Sequence, residues 1–463
     1  MTHHNPLGTE KISTLLIRFS IPAIVGMLVS ALYNIVDRIF IGNAADIGKN
    51  GLAGITIGFP LMLITLAMGV LFGVGGATLF SMRLGQKREE EAEKVLGNSF
   101  VLLVLSGTAY MIFGQVFLEP LLKLFGASET ILPYSMDYMR IIFFGVVFQM
   151  LSMGLNHFIR ADGSPKIAMY TMFLGAGTNI VLDPLFIYVF KMGMGGAAWA
   201  TIIAQGISAT WVVLYFFGKH SRMKFHVKNF VLSRPIVIKI MSLGLPGFLL
   251  QLAGSLLNTL LNRNLLMYGG DVAVSGMGVI NSIQTLLLMP IIGLNQGVQP
   301  LISFNFGAEK YDRVKQAIKL AMITATVIVS FGFIITRLFP KQLVSMFNQD
   351  PELLAFGDMA IYSWFLMLPL VGFQIIGANF FQAIGRSKSA MFLTLTRQII
   401  FLIPAVLLFP RIWGIQGLLY AAPFADVLST LLTATFFFMV MKDLTNLHHN
   451  FDQKPIIETV IEV

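Results

Sequence analysis

Two aspartates lie where a charged side chain is costly. Asp37 sits in ALYNIVDRIFIG and Asp183 in NIVLDPLFIY, each among apolar residues. A charged group at the bilayer centre costs about 2.5–3.5 kcal/mol on insertion scales, so a span with no further duty would carry leucine there. Each aspartate has an amide at helical spacing. Asn34 lies three residues before Asp37 and Asn179 four before Asp183, which puts each pair on one helix face. Pro184 follows Asp183 and removes a backbone donor, so a bend and a freed carbonyl are expected there. Two buried carboxylates with neighbouring amides suit a monovalent cation. Low dielectric and a second carboxylate both oppose the bare charge. Such a pair would hold a proton near neutral pH or bind a sodium ion, and the residues do not choose between the two.

Holding these groups inside a bilayer takes helices. The chain has 463 residues, 56% hydrophobic and 12% charged, with mean hydropathy +0.77, against about 25% charged in soluble domains. Apolar stretches long enough to span recur from end to end, and the short alternating segments of a barrel are missing. The chain reads as an all-α integral membrane protein with twelve transmembrane helices, near 13–41, 52–81, 95–118, 133–159, 165–189, 195–217, 235–267, 272–304, 314–338, 354–384, 388–410 and 414–441. Residues 1–218 would form one lobe, 219–234 a polar linker, 235–442 a second lobe and 443–463 a tail.

A net charge of +9 would point to nucleic acid in a soluble domain. Here Lys and Arg crowd the loops on the side of the N-terminus, which marks those loops as cytoplasmic. No nucleic-acid partner is expected. The chain should sit in the plasma (inner) membrane, multi-pass and surrounded by lipid, with both termini cytoplasmic. The absence of cysteine excludes disulfides, thiolate metal sites and cysteine nucleophiles. The polar start, Met1 to Glu10, does not read as a cleavable signal. P-loop, HExxH and GxSxG motifs are missing. GMGGAA (193–198) fits G-x-G-x-x-A, but it opens a membrane helix with no strand before it. No enzyme activity and no cofactor are therefore expected.

The halves repeat. GLAGITIGF (51–59) lies over AVSGMGVIN (273–281) at a shift of 222, which also superposes Gly75 on Gly297 and Gly85 on Gly307. ADGSPKIAM (161–169) meets AIGRSKSAM (383–391) at 222, GMGGAAWA (193–200) meets GIQGLLYA (414–421) at 221, and Pro22 meets Pro246 at 224. An even number of spans per repeat gives parallel repeats, here two pseudo-symmetric six-helix lobes around a central cavity that opens alternately to each side. Asp37 and Asp183 have no acidic counterpart: the matching positions are Leu261 or Asn262, and Pro404 or Ala405. A carboxylate needed for architecture would occur twice, so these two read as functional. Asp426 is expected to pair with Arg397, and His157 to be a packed polar residue.

SIPAIVGML with YNIVDRIFIG, GLAGITIGFP, FGVGGATLFSMRLG, FIRADGSPKIAM, TNIVLDPLFIY and GGAAWATIIAQ together resemble the multidrug and toxin extrusion (MATE) transporters, close to the MepA-like bacterial branch. The resemblance covers nearly the whole chain. It implies twelve helices in two lobes around a V-shaped cavity, and export of cationic amphiphilic drugs and dyes against inward H⁺ or Na⁺ flow. The family's cation cluster carries over onto Asp37, Asn179, Asp183 and Thr201, which are also the ligands a Na⁺ would take. Substrate-contact positions look like Tyr33, Asn156 and Met172. One departure stands out: the seventh-helix glutamate of NorM-like members is Gly254 here, so coupling should rest on the first lobe. The expectation is a monomeric antiporter whose partners are small cationic drugs. The rival reading is a lipid or lipid-linked oligosaccharide flippase, which a cavity dominated by arginine would favour.

Overall fold

The structure, a computed structural model, describes residues 6–44, 48–347 and 349–450. It contains no strand among them. The first six membrane helices are α1 (Ile12–Asn43), α2 (Gly48–Gly85), α3 (Glu89–Leu124), α4 (Leu132–Ala161), α5 (Pro165–Val189) and α6 (Gly193–Phe217). The next run, Arg234–Gly307, has 74 residues and one non-helical break, Gly270 at φ 65°. Unbroken it would reach ~110 Å, against about 30 Å of hydrocarbon, so it is two spans, α7 (234–269) and α8 (271–307). Then come α9 (Tyr311–Leu338) and α10, formed by Pro351–Trp364 and Leu368–Ala383 with a 54° bend between them. The last run breaks at Gly414, φ 58°, giving α11 (387–413) and α12 (415–450). Twelve spans result, as the sequence implies. Several run past the apolar stretch that announces them. In α3, Glu89, Glu90 and Glu91 fill the first turn, where acidic groups complement the helix dipole.

The repeat extends to the backbone. Positive φ occurs at Lys87 and Glu309 (60° and 59°), Gly163 and Gly385 (97° and 83°), and Gly193 and Gly414 (60° and 58°). Each pair is separated by 222 or 221 residues. The turns after α2, α4 and before α6 are thus rebuilt after α8, α10 and before α12.

The same symmetry governs how the lobes meet. A methyl group on Gly244 would fall on the Leu71 carbonyl, and one on Gly75 on the Ile240 carbonyl, so α2 and α7 cross backbone to backbone. The mate of this crossing is α8 on α1, where Gly297 abuts Ser20 and Gly293 abuts Ile24. Gly85 lies on the Phe304 carbonyl and Gly307 on the Met82 carbonyl. Gln299 Nε2 donates to Thr78 Oγ1 at 2.9 Å. The turn before α1 is held by the second lobe: Asn305 Nδ2 donates to the Leu7 carbonyl (2.9 Å), Lys310 Nζ to that of Gly8 (2.7 Å) and Arg313 Nη2 to that of Glu10 (2.6 Å). These contacts all lie toward one membrane face, the one that also carries the linker.

Asp162, just beyond α4, ties that linker to the first lobe. Its carboxylate accepts from the Tyr215 hydroxyl (2.7 Å), the Ser221 hydroxyl (3.3 Å) and the backbone N–H groups of Arg222 (3.0 Å) and Met223 (3.4 Å). Burial outweighs these bonds and pushes the Asp162 carboxyl up to about 6. Between pH 4 and 6 the folded chain therefore holds a proton that the unfolded chain has released. This stabilisation is full below pH 4 and is lost as pH rises through 6, a difference of about 3 kcal/mol. Asp162→Asn keeps the shape and cannot ionise. Comparing wild type and variant by thermal unfolding in detergent at pH 4.5 and 7.5 should show a smaller fall in apparent Tm for the variant. Identical pH slopes would remove Asp162 as the cause.

Candidate functional site

Asp183 is fully buried near the end of the regular part of α5, and the helix widens into a π turn, Leu185–Val189, directly after Pro184. This is the bend that the proline implies. Tyr188 in that turn donates to the Phe40 carbonyl at 2.7 Å and fixes α5 against α1 at the level of Asp37.

Around Asp183 the first lobe gathers polar groups from four helices. Asn179 Nδ2 donates to Asp183 Oδ1 at 3.3 Å and to Thr201 Oγ1 of α6 at 3.4 Å. Thr201 donates in turn to the Ala197 carbonyl at 3.0 Å. From α1 the Asp37 carboxyl faces that of Asp183 and interacts with it. Tyr33, one turn before Asp37, lies within electrostatic reach of both carboxyls. No hydroxyl or N–H donates to Asp183 Oδ2, and Asn179 Oδ1 is likewise without a protein donor. Buried oxygens in this state need a proton or a cation. Among the described residues no cluster of three acidic, His or Cys groups forms, so the site fits one small monovalent cation better than a divalent metal. Asp37, Asn179, Asp183 and Thr201 supply the oxygens for it.

Of the predicted residues, Asp37, Asn179, Asp183, Thr201 and Tyr33 come together. Asn34 does not: its amide donates to the Ser30 carbonyl at 2.7 Å and is exposed. Helical spacing put it near Asp37 in sequence, but its own backbone satisfies it. Asn156 and Met172 form a second group. Asn156 donates to the Ala168 carbonyl at 2.8 Å, tying α4 to α5. Met172 packs its sulfur on Gly26 of α1 and lies 3.8 Å from Arg160 Nη2.

Three features went unread. Tyr138 of α4 is buried, with its hydroxyl on Thr201 and both carboxyls nearby. A tyrosine in a span is common enough to carry no signal. Arg160, expected in a loop, is only 2% exposed, and its Nε has no partner. His157, packed as anticipated, also borders a small enclosed space between the lobes with Ser81, Gln296 and Gln299. In the second lobe Arg397 Nε meets Asp426 Oδ1 at 2.8 Å, the pairing expected from the sequence, and Gly254 faces Gln398.

Comparison with known proteins agrees with this architecture. The MatE family model matches residues 22–185 and again 246–407. The chain is 27% identical over 430 residues to the multidrug export protein MepA of Staphylococcus haemolyticus (strain JCSC1435), covering 93% of this chain and 94% of the relative. MepA of Staphylococcus aureus (strain N315) is 26% identical over the same shares. Among solved structures, the MATE multidrug transporter DinF-BH in complex with a drug is 38% identical with TM-score 0.87, over 93% of this chain and 96% of that one. An outward-facing multidrug resistance MATE family transporter superposes with TM-score 0.90 at 24% identity, over 96% and 99% of the two chains, a likeness of fold. With both repeats matched in order and nearly the whole chain covered, the chain belongs to the MatE family.

Proposed function

We propose that the chain is a secondary active exporter of cationic amphiphilic compounds, driven by inward movement of H⁺ or Na⁺ through Asp37 and Asp183. The observation that carries this reading is the facing pair of carboxyls inside the first lobe, with Asn179 and Thr201 beside them. The relatives named as multidrug exporters support it, and so does the 38% identical transporter solved with a bound drug. The Asp426–Arg397 pair leaves the second lobe without a comparable carboxyl, which supports coupling through the first lobe alone.

In this reading the linker face is cytoplasmic and both termini lie there. The lobes are joined at that face, so the cavity between them opens outward. A proton or sodium ion reaches Asp183 and Asp37 from outside, cancels their repulsion and lets α1 and α5 repack. Drug and coupling ion then exclude each other, directly or through the state of the lobe. A membrane potential near 100 mV adds about 2.3 kcal/mol for each charge carried inward. Resident metal or organic cofactor is not required, and a monomer contains every group the cycle uses.

The test is dye efflux from proteoliposomes, driven separately by a pH gradient and by a sodium gradient. Export under one gradient names the coupling ion. Folded protein that exports under neither would overturn antiport and favour lipid translocation.

A further inference from the structure

The two lobes carry the same surface in different states. On the first, the linker leaving α6 turns back onto α3: Phe225 and Phe230 pack on Phe100 with ring centroids 5.0 and 5.3 Å away, and Phe225 packs on Phe216 at 5.3 Å. The repeat shifts of 222 and 221 convert Phe100 into Met322 and Phe216 into Phe437. On the second lobe those two residues, with Ile323, Phe373 and Met441, line a cleft of about 600 Å³. Its floor is α10 and its walls are α9 and α12. Lys315 and Lys319, one helical turn apart, stand at its linker-face end. Lys315 lies 3.8 Å from the largely exposed Asp312.

We propose that this cleft seats the chain's own C-terminal segment, residues 455–463, which lies outside the described residues. The first argument is the repeat. The chain leaving α12 is the counterpart of the linker leaving α6, and the linker covers the equivalent surface of its lobe. The second is pattern. On a helical repeat Ile456, Ile457, Val460 and Ile461 share one face, and Glu458 and Glu462 stand together on another. The third is charge. Two glutamates four residues apart complement two lysines four residues apart at the cleft rim. The repeats differ in one respect. α12 runs on to Asn450, whereas α6 ends at Phe217, so the chain must double back before it reaches the cleft. Pro455 disfavours a helical residue before it and supplies a break at that point. An anionic lipid headgroup is the competing occupant, since it would meet the same lysines.

The chain has no cysteine, so Ile323→Cys alone reports on the cleft. In nanodiscs of zwitterionic phosphatidylcholine, N-ethylmaleimide should label the full chain at least tenfold more slowly than a chain truncated after Asn450. In the full chain, Lys315→Glu with Lys319→Glu should remove this protection. Adding Glu458→Lys with Glu462→Lys should restore it. Equal labelling of full and truncated chains, or a charge swap without effect, overturns the proposal. Protection that ignores truncation and requires phosphatidylglycerol assigns the cleft to lipid and overturns it as well.

Discussion

Replacing Asp183 by asparagine is expected to bring dye export down at least 100-fold, to background, in protein that still folds. The side chain is fully buried, and its Oδ2 receives no donor from the protein. Asparagine keeps the shape and the contact with Asn179, but it can neither release a proton nor present a charge to a cation. The cycle would stop with the site fixed in its neutral form. A 100-fold loss corresponds to about 2.7 kcal/mol, within what one obligatory group supplies. Stability should move the other way. An ionisable group facing a second carboxyl in low dielectric costs folding energy, so apparent Tm in detergent should hold or rise. That divergence separates lost coupling from lost structure. Asp37→Asn should behave alike in export. Tyr138→Phe, which removes only the hydroxyl on Thr201, should cost far less. Full export by a chain carrying both aspartate changes would sink the coupling assignment.

The parts of this site that could be read from sequence are those that break an apolar pattern. Asp37, Asn179 and Asp183 stand out because each is costly in a bilayer unless something answers it. The twelve helices and the repeat were legible for a related reason: lipid allows few other ways to satisfy a backbone, and a constant shift survives divergence. What periodicity cannot give is direction and depth. Asn34 shares a helix face with Asp37, yet its amide folds back onto Ser30. Arg160 ends an apolar run like any residue at the membrane surface, and only packing reveals that it is enclosed. Gly75 and Gly244 illustrate the same limit. Their repeat relation was visible to Gly297 and Ser20, but a contact between segments so far apart in sequence leaves no periodic trace.

Those glycines lead to the second large effect. Gly244→Leu should block export at least tenfold by preventing the lobes from closing at the linker face. No flexible side chain lies opposite Gly244 that could give way. The nearest group is the Leu71 backbone carbonyl, so the added leucine must move a whole helix or stay out. Alternating access requires this crossing to form and separate in each cycle, and a wedge biases the equilibrium toward the separated state. A population change of that kind needs only a few kcal/mol, within the usual 1–3 kcal/mol of overpacking. The reporter is a cysteine pair at Thr78 and Gln299, whose side chains bond across the lobes at 2.9 Å. Cross-linking of that pair by a short reagent should be efficient in the parent and fall at least tenfold with Gly244→Leu. Gly278→Leu, where an added Cβ meets nothing within 4 Å, should leave cross-linking unchanged. If Gly244→Leu retained both cross-link and export, the crossing of α2 and α7 would be fixed through the cycle, and the moving surface would have to be sought in the paired crossing of α1 and α8.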